Sequence, residues 1–428
     1  MPRLTRRQFL ATGAAGAIAA PHVWVRPAWA QQKELSILCW SHFVPQYDKW
    51  FDTFGQEWAA KNGVKLSIDH IPHLNLPTKI AAEIATASGH DIVQLAASGT
   101  EKWSAAMLDV TDLADRLAGK YGGWTPLAKN YSEVKGRFRS IPDYFIDFPS
   151  LYRKDLWTEI AGMPNGPDSW NDLLVGGRKL KAKGHPTGIG LAHHNDSRNS
   201  WRAIMWSFGG SEVAKDGKTL TWDSKPVREA LTFMNALYKE TMTPEVLSWD
   251  DASNNRFLAS GRGSWIHNPI SAYRTIEKQN KDLANKIHIQ LSPRGPATRL
   301  SFANCLAYAI PSFSRNQDTA KAFLEHLTDN FKDAFRAGTG YNNPFLRTFA
   351  KGPLPIISED PKLKVLEKSP EYHVTTGYPG PVTQAADEVY QQFVMIDAVA
   401  QLCSGKMDLA QTVKWTEDKL KGIYAKFV

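Results

Sequence analysis

The 428-residue sequence contains only three cysteines, Cys39, Cys305 and Cys403, and they lie far apart. Three cysteines allow one disulfide, but the sequence does not identify its partners. No C-x-x-C or C-x-x-C-H motif is present. The chain therefore lacks the ligand patterns of thioredoxin-like redox sites, covalent haem attachment and iron–sulfur clusters.

Motifs for nucleotide binding and hydrolysis are also absent. The sequence has no G-x-x-x-x-G-K-[ST] phosphate loop, and no G-x-G-x-x-G opens a helix after the first predicted strand. It has no G-x-S-x-G or H-E-x-x-H motif. Gly338-Thr339-Gly340 is interpreted as a turn. We therefore expect no catalytic residue, no cofactor and no metal.

The chain carries little excess charge once its first thirty residues are set aside. Four of the 51 Lys and Arg residues, and none of the 43 Asp and Glu residues, lie in that segment, so 47 basic and 43 acidic side chains remain. No clustered Arg/Lys run or known nucleic-acid module occurs, which argues against a nucleic-acid partner. No later stretch approaches eighteen uninterrupted apolar residues, so we expect no membrane span.

The first thirty residues have the features of an export signal. Arg6 and Arg7 in TRRQFL form a twin-arginine signature, and a small-residue apolar stretch follows at 11–20. Ala28-Trp29-Ala30 is an A-x-A cleavage site before Gln31. The alternative is a buried N-terminal helix, which the paired arginines and the cleavage site disfavour. We predict export to the periplasm by the twin-arginine route, with cleavage after Ala30.

The mature chain alternates predicted strands and helices. Strands are expected at 35–40, 64–71 and 91–95, with helices at 47–61 and 76–87 between them, and this order is typical of a parallel α/β sheet. A second set of strands and helices follows, with strands at 264–267, 287–291 and 306–310 and helices at 200–208, 227–240 and 319–330. The C-terminal region, 382–404 and 409–427, is predicted as two helices.

The stretch 141–174 is organised differently. Pro142 and Pro149 break an aromatic, extended run, because proline removes a ladder donor. Ser169-Trp170-Asn171-Asp172 then has the pattern of a capping box that opens a helix. Broken strands followed by a capped helix are suited to a chain that crosses between two lobes.

Residues 152–157 (YRKDLW) and 167–173 (PDSWNDL) resemble the mid-chain segment of extracellular solute-binding proteins of bacterial ATP-driven uptake systems. The resemblance is to the maltose-binding-protein-like family one, and it extends to ASGHDIVQL, NRFLASGRGSWI and GYPGPVTQAADEVYQQFV. It implies an α/β fold of two lobes, each a mainly parallel sheet flanked by helices, with a helical C-terminal tail. It also implies discontinuous lobes, which we place at 31–142 plus 299–349 and at 143–298 plus 350–428.

Several polar groups are considered for chemistry and rejected. His70 and His73 are three residues apart, and His193-His194 precedes Asp196, but neither group shows a fixed further ligand. Asp250-Asp251 could act as glycosidase carboxylates, but adjacent residues rarely converge on one bond. We interpret that pair as a solvated helix start.

The aromatic residues provide the positive evidence for a binding site. An aromatic ring offers an apolar face to the C–H side of a sugar, while nearby amide, hydroxyl and imidazole groups bind its hydroxyls. Candidates follow predicted strands or open loops, where α/β sheets bind ligands. The predicted ligand-binding residues are Trp40, His42, Ser98, Thr100, Tyr144, Trp201, Trp265, His267, Asn268, Tyr341 and Asn342. Trp265 is the strongest single candidate, because SGRGSWI matches the family's pocket-bearing strand.

The sequence thus predicts the periplasmic substrate-binding component of an ABC transporter. Its expected partners are a carbohydrate and inner-membrane permease subunits, and it is expected to be a monomer. It would capture a mono- or oligosaccharide by closing two lobes about a hinge near Tyr144. One alternative is an exported carbohydrate-active enzyme. Another keeps the fold and binds a non-sugar solute such as glycerol phosphate or a polyamine. An acid pair at the cleft would favour the enzyme, and a cleft rich in Arg or acid would favour charged cargo.

Overall fold

The computed structural model describes residues 33–96, 99–351 and 354–427. The predicted signal and Ser98 lie outside these ranges. The strands are β1 (Lys33–Trp40), β2 (Val64–Ile71), β3 (Ile92–Ala96), β4 (Glu133–Val134), β5 (Arg137–Phe138), β6 (Ile141–Ile146), β7 (Ser150–Arg153), β8 (Thr187–Gly188), β9 (Trp265–His267), β10 (Ile287–Gln290), β11 (Ser301–Phe302), β12 (Asn304–Ala309), β13 (Asn343–Pro344) and β14 (His373–Val374).

The helices occupy most of the remaining chain. They are α1 (Pro45–Asn62), α2 (Leu76–Thr86), α3 (Gly99–Trp103), α4 (Thr111–Lys120), α5 (Pro126–Ser132), α6 (Lys154–Leu156), α7 (Trp170–Ala182), α8 (Asn195–Ser207), α9 (Lys225–Thr241), α10 (Ser253–Ala259), α11 (Ser271–Gln279), α12 (Lys281–Lys286), α13 (Gln317–Asp329), α14 (Phe331–Ala337), α15 (Arg347–Ala350), α16 (Pro355–Glu359), α17 (Gln384–Gln391), α18 (Val394–Cys403) and α19 (Leu409–Tyr424). Short 3-10 segments include His73–Asn75 and Lys364–Tyr372, and Trp157–Ala161 is a π-helical turn.

Two sheets define the two lobes. Lobe 1 is built on a six-stranded sheet in the order β13-β6-β12-β3-β1-β2, and lobe 2 on a four-stranded sheet in the order β10-β7-β9-β8. Helices α17, α18 and α19 pack on one another, and α18 and α19 pack on α9 in lobe 2. The α/β architecture with two lobes and a helical tail agrees with the prediction.

The sheets are mixed, which corrects the expectation that they are mainly parallel. In lobe 1, β1 runs parallel to β2 and β3, but β12 is antiparallel to β3 and β6. In lobe 2 only β8 and β9 are parallel. The reason is connectivity: the chain leaves lobe 1 through β6 and returns through β12 beside it, so these two strands run in opposite directions.

The strand positions also refine where the chain crosses between lobes. β6 runs to Ile146 in the lobe 1 sheet, and β7 starts at Ser150 in the lobe 2 sheet. The predicted boundary at 142 therefore falls inside β6, at a proline that the strand accommodates. The return crossing lies between Gln290 of β10 and Asn304 of β12.

Local signals in the sequence account for many of the element boundaries. The predicted capping box at α7 is present: the Ser169 hydroxyl accepts from the Asp172 amide at 3.0 Å, and the Asp172 carboxylate accepts from the Ser169 amide at 3.0 Å. α1 ends at Gly63, whose φ of 64° is the left-handed conformation that glycine adopts readily.

Three predicted elements differ from the structure. The C-terminal region forms three helices, because Phe393 has a φ of 55° and separates α17 from α18. The segment 107–117, MLDVTDLADRL, is predicted from its sequence to form a helical turn, and the observed helix begins at Thr111. The helix predicted at 200–208 begins at Asn195, where the His194 side chain caps it. The first residues of α8 are polar, so the hydrophobic pattern of the sequence did not indicate where the helix begins.

The three cysteines are free and buried, so no disulfide forms among them. Cys39 is on β1, Cys305 on β12 and Cys403 at the end of α18. Among the described residues, no helix combines the length and apolarity that crossing a bilayer requires.

Candidate functional site

Five of the predicted site residues meet on lobe 1. The indole N–H of Trp40 donates to the Tyr144 hydroxyl at 2.8 Å. His42 lies 4.8 Å from Trp40 and 4.9 Å from Tyr341, between ring centroids. The His42 Nε2 is 2.8 Å from the side-chain oxygen of Asn342. We call Trp40, His42, Tyr144, Tyr341 and Asn342 the aromatic cluster.

The sheet order explains why residues so far apart in sequence form the aromatic cluster. Trp40 ends β1, Tyr144 lies on β6, and Asn342 directly precedes β13, which pairs with β6. The Val44 amide donates to His42 Nδ1 at 2.9 Å, so His42 Nε2 carries the proton that Asn342 accepts. Hydrogen bonds within the cluster therefore orient the side chains of Trp40, His42, Tyr144 and Asn342.

A second group of polar residues lies on lobe 2 at the start of α8. Asp251 accepts from the Asn195 backbone amide at 2.7 Å and from the Asn195 side-chain amide at 3.2 Å. The Asn254 amide donates to Asp196 at 2.5 Å and also contacts Asn268. We call Asn195, Asp196, Arg198, Asp251, Asn254 and Asn268 the polar cluster.

The two lobes contact each other through side chains beside these clusters. The Asn195 side-chain amide of lobe 2 lies 3.1 Å from Nδ1 of His73 in lobe 1. The His73 ring is 5.5 Å from Trp40, so this contact adjoins the aromatic cluster. Arg274 of α11 donates to the Thr339 carbonyl at 3.1 and 3.0 Å. Lys102 of α3 is 3.5 Å from Asp387 of α17.

Burial sets the ionisation of the groups at this interface. Burial lowers the pKa of His42 to about 4 and that of His73 to about 4, and the nearby Arg198 charge adds to the effect at His73. Both imidazoles are therefore neutral at pH 7. Burial, together with the Asp251 charge, raises the pKa of Asp196. At Asp251, burial acts to raise the pKa, but the nearby His194 and the hydrogen bond from the Asn195 backbone amide outweigh it and lower the pKa.

Several buried polar atoms in or next to the two clusters have no hydrogen-bond partner within the described part of the chain. They are His73 Nε2, Asn342 Nδ2, Arg198 Nε and Asn199 Nδ2. A buried donor without an acceptor costs about 1–3 kcal/mol. Two of these atoms belong to lobe 1 and two to lobe 2, and unpaired donors on both lobes are what a site for a polar solute would have.

The remaining predicted residues lie away from the aromatic cluster. Trp265 is 0% exposed and packs 6.0 Å from Trp170 and 6.1 Å from His267, between ring centroids. Trp201 is also 0% exposed, and its indole donates to the Gly190 carbonyl at 2.8 Å. These two tryptophans fill the interior of lobe 2.

His267 and Thr100 are held by neighbouring hydroxyls. His267 contacts Ser200 at 2.9 Å and Ser292 at 3.0 Å, and burial lowers its pKa to about 3. Thr100 lies 2.9 Å from the Ser140 hydroxyl on lobe 1. Asn268 is the predicted lobe 2 residue that joins the polar cluster, and Ser98 lies outside the described residues.

The sequence analysis missed most of the polar cluster. Asp251 is predicted to lie at a solvated helix start, yet its side chain is only 21% exposed. The neighbouring His73, rejected above as a metal ligand, is 8% exposed. The available signal was the segment NDSRN at 195–199, a polar run directly before an apolar helix. All five of its residues are buried, which happens when a polar helix start faces another part of the protein.

The histidines considered as metal ligands have other contacts. His70 lies 2.8 Å from Asp52 and His193 2.6 Å from Asp397. Among the residues with described positions, no group of three or more His, Cys, Asp or Glu side chains could hold a metal ion.

The chain was compared with known protein families and with solved structures. Residues 49–365 match the model of the bacterial extracellular solute-binding protein family. A tagatose-bound ABC transporter solute-binding protein of Thermotoga lettingae is 18% identical, with a TM-score of 0.79 over 92% of this chain and 100% of that one. The maltose-bound MalE3 of T. maritima is 18% identical, with a TM-score of 0.77 over 91% and 99%.

A third similar structure is a sugar transporter protein of Arthrobacter chlorophenolicus with bound laminaribiose. It is 16% identical, with a TM-score of 0.77 over 91% of this chain and 99% of that one. At these identities the structural matches establish the fold. The family model covers well over half of the sequence, and the chain therefore belongs to the bacterial extracellular solute-binding proteins.

Proposed function

We propose that the protein is the periplasmic substrate-binding component of an ABC transporter, which captures a carbohydrate between its lobes and delivers it to inner-membrane permease subunits. The observation that carries this proposal is the layer of buried, partly unpaired polar atoms on both lobes beside an aromatic cluster. Sugar hydroxyls are both donors and acceptors, so one ligand can pair with donors from both lobes. The solved relatives bound to tagatose, maltose and laminaribiose support the same class of ligand.

The proposed ligand contacts are the aromatic cluster on lobe 1 and Asn268 with its polar neighbours on lobe 2. Aromatic faces would contact the C–H side of the sugar, and the free N–H groups of Asn342 and His73 would donate to its oxygens. Four predicted residues have internal contacts that support structural roles: Trp201, Trp265, His267 and Thr100. The proposed site therefore contains fewer residues than the sequence predicted.

The mechanism follows from the division of the site between lobes. A ligand that contacts only one lobe leaves polar groups on the other lobe unpaired or solvated. A ligand held by both favours the closed arrangement, in which Asn195 reaches His73. We propose that the chain passes between the lobes three times, at 147–149, at 291–303 and near 350. Rotation about these segments would open and close the cleft.

We also propose where the protein is located and what it binds. The twin-arginine motif and Ala28-Trp29-Ala30 support export and cleavage after Ala30. The near balance of charge supports a protein that binds no nucleic acid. We propose that it works as a monomer and makes or breaks no bond in its ligand.

One observation favours a second candidate, an exported carbohydrate-active enzyme. Asp196 and Asp251 are neighbouring carboxyl groups at the interface whose pKa values are shifted in opposite directions. Such a divergence is a feature of acid–base pairs in glycosidases. Against it, Asn195 and Asn254 already occupy oxygens of both carboxylates, and the family is one of binding proteins.

A thermal-shift screen of the chain beginning at Gln31 tests both candidates. The panel contains monosaccharides, oligosaccharides, polyols and glycerol phosphates. A hundredfold excess over Kd should stabilise the folded protein by about 2.7 kcal/mol. A shift with a sugar that is recovered unchanged supports transport, and an altered sugar indicates the enzyme. No shift with any carbohydrate would contradict the proposed function.

A further inference from the structure

Arg198 is a buried cation without an ion pair. It is 2% exposed, and its guanidinium donates only to neutral oxygens: Asn195 Oδ1 at 2.5 Å, Gln391 Oε1 at 3.3 Å and the Tyr390 carbonyl at 3.4 Å. Its Nε has no partner among the residues whose positions are described. Burying a cation without a counter-charge is costly, so such a group calls for an explanation.

Arg202, one turn further along α8, shows the usual arrangement. Its side chain is fully buried, and its guanidinium donates to Glu212 at 2.8 Å. The two arginines share a helix and a degree of burial and differ in having a carboxylate partner. Within residues 33–96, 99–351 and 354–427, no carboxylate lies within 4.0 Å of Arg198. The segments outside these ranges contain no Asp or Glu.

Asp251 and Asp387, the two carboxylates whose charges act on Arg198, have direct contacts with other residues. Asp251 accepts from the Asn195 backbone and side chain and lies 3.5 Å from His194. Asp387 accepts from Gln391 at 3.2 Å and lies 3.5 Å from Lys102 on the opposite lobe. Both influence the Arg198 charge at longer range. Neither forms the direct, hydrogen-bonded pair that Glu212 forms with Arg202.

The position of Arg198 connects it to the cleft. Its guanidinium stacks 3.8 Å from the Tyr390 ring, which fixes the plane of the group. Its partner Asn195 is the residue that reaches His73 across the interface. A ligand anion that replaced the neutral Asn195 oxygen would therefore meet a guanidinium fork whose plane is already fixed. Such a fork matches carboxylate or phosphate geometry.

We propose that Arg198 recognises an anionic group of the ligand, so that the transported solute is a polyhydroxy compound with a carboxylate or a phosphate, such as a sugar acid. This inference rests on the proposed function, because it names the chemistry of the solute bound at the same site. The ligand would supply the negative charge next to Arg198 that no carboxylate of the described chain supplies.

Isothermal titration of the chain beginning at Gln31 tests the proposal with matched pairs. The pairs are galacturonate with galactose, glucuronate with glucose, and glycerol 3-phosphate with glycerol, and glucosamine serves as a cationic probe. We expect at least one acid to bind about tenfold or more tightly than its neutral parent. Arg198→Gln should bring that ratio close to one, because it weakens binding of the acid more than binding of the neutral parent.

Two further variants separate the role of Arg198 in binding from its role in folding. The double variant Arg202→Gln/Glu212→Gln removes the neighbouring buried pair and should retain the ratio. Arg198→Lys keeps the charge but loses the fork, so it should retain part of the ratio even if Arg198→Gln folds poorly by circular dichroism. A ratio that persists in a folded Arg198→Gln protein would overturn the assignment of Arg198.

The outcomes separate this inference from the function on which it rests. If neutral sugars bind as tightly as their acids, the inference is overturned and carbohydrate capture stands. If glycerol 3-phosphate binds in an Arg198-dependent way and no sugar does, the anion site stands and carbohydrate capture is overturned. Tighter binding of glucosamine than of the acids, or no binding in the panel, would overturn the inference.

Discussion

Asn195 of lobe 2 donates its side-chain amide to Nδ1 of His73 in lobe 1 over 3.1 Å. Burial keeps the His73 imidazole neutral, and this neutrality leaves Nδ1 free to accept. The same Asn195 side chain also donates to Asp251 and accepts from Arg198. A single amide thus joins the lobe interface to Asp251 and Arg198 of the polar cluster.

Replacing Asn195 should weaken ligand binding by destabilising the closed arrangement. Because a hydrogen bond contributes a net of about 0.5–1.5 kcal/mol, Asn195→Ala is expected to raise Kd about 2- to 10-fold for the solute found in the screen. Titration calorimetry provides the measurement. Thr232→Ala, an exposed change on α9, is the control and should leave Kd unchanged. An unaltered Kd in Asn195→Ala would show that this contact does not contribute to closure.

Trp265 should prove essential for folding rather than for ligand contact. Its ring is 0% exposed against Trp170 and His267, so Trp265→Ala is expected to lower the free energy of unfolding by about 3–5 kcal/mol. Urea denaturation measures this loss. Trp265→Phe keeps an aromatic ring and should retain ligand affinity within about twofold. If Trp265→Phe folds stably but no longer binds the ligand, Trp265 contacts the ligand and this prediction is wrong.

Two helical glycines should respond oppositely to alanine. A Cβ at Gly176 on α7 would lie 2.4 Å from the buried Trp157 ring, so Gly176→Ala should destabilise the fold by about 1–3 kcal/mol. At Gly422 on α19 a Cβ meets nothing within 4 Å, so Gly422→Ala should stabilise by about 0.5–1 kcal/mol. Urea titration measures both. Equal effects at the two positions would contradict the packing around Trp157.

Asp143 on β6 should make stability depend on pH. Burial raises the pKa of Asp143 to about 8 from its usual 3.8, so between these values the folded protein holds a proton that the unfolded chain releases. Stability therefore falls as pH rises from 4 towards 8, by at most about 1.4 kcal/mol per pH unit from this group.

Asp143→Asn removes that titration without changing the shape of the side chain. We expect the variant to lose less stability than the original protein between pH 5 and pH 7.5, as measured by urea unfolding at several pH values. Asp216→Asn is a suitable control, because the pKa of that exposed Asp216 is lowered to about 2 by Thr219 and Lys218. Identical pH profiles for the Asp143→Asn and original proteins would show that Asp143 is ionised in the fold.

The elements that could be predicted are those encoded by neighbouring residues. The strand at 64–71 was predicted at its observed bounds, and the Ser169 capping box depends on residues three positions apart. Helix and strand periodicity indicated the α/β class, and the mid-chain motif indicated the two lobes. The segment 195–199 was misjudged because its polarity resembles a loop, whereas its burial comes from contacts distant in sequence.

The candidate site was only partly accessible to sequence reasoning. Trp40 and His42 are predicted from their place after a strand, Tyr341 and Asn342 from their place in a loop, and Tyr144 from its place near the predicted hinge. The structure brings these five residues together. Trp201 and Trp265 satisfied criteria of the same kind and lie in the interior of lobe 2. A strand end shows where the backbone finishes, but the packing of the sheet decides on which side a ring lies.

By itself, then, the sequence determined the α/β class, the caps, the family motif and the absence of recognisable cofactor signatures, because each depends on residue identity or short-range spacing. The tertiary structure decided that β12 returns antiparallel beside β6 and that Asn195 meets His73 from 122 positions away. It also decided that Arg202 has a carboxylate partner while Arg198 has none in the described chain. Such pairings arise when distant segments are packed together, and no local pattern encodes which buried charge remains without a partner.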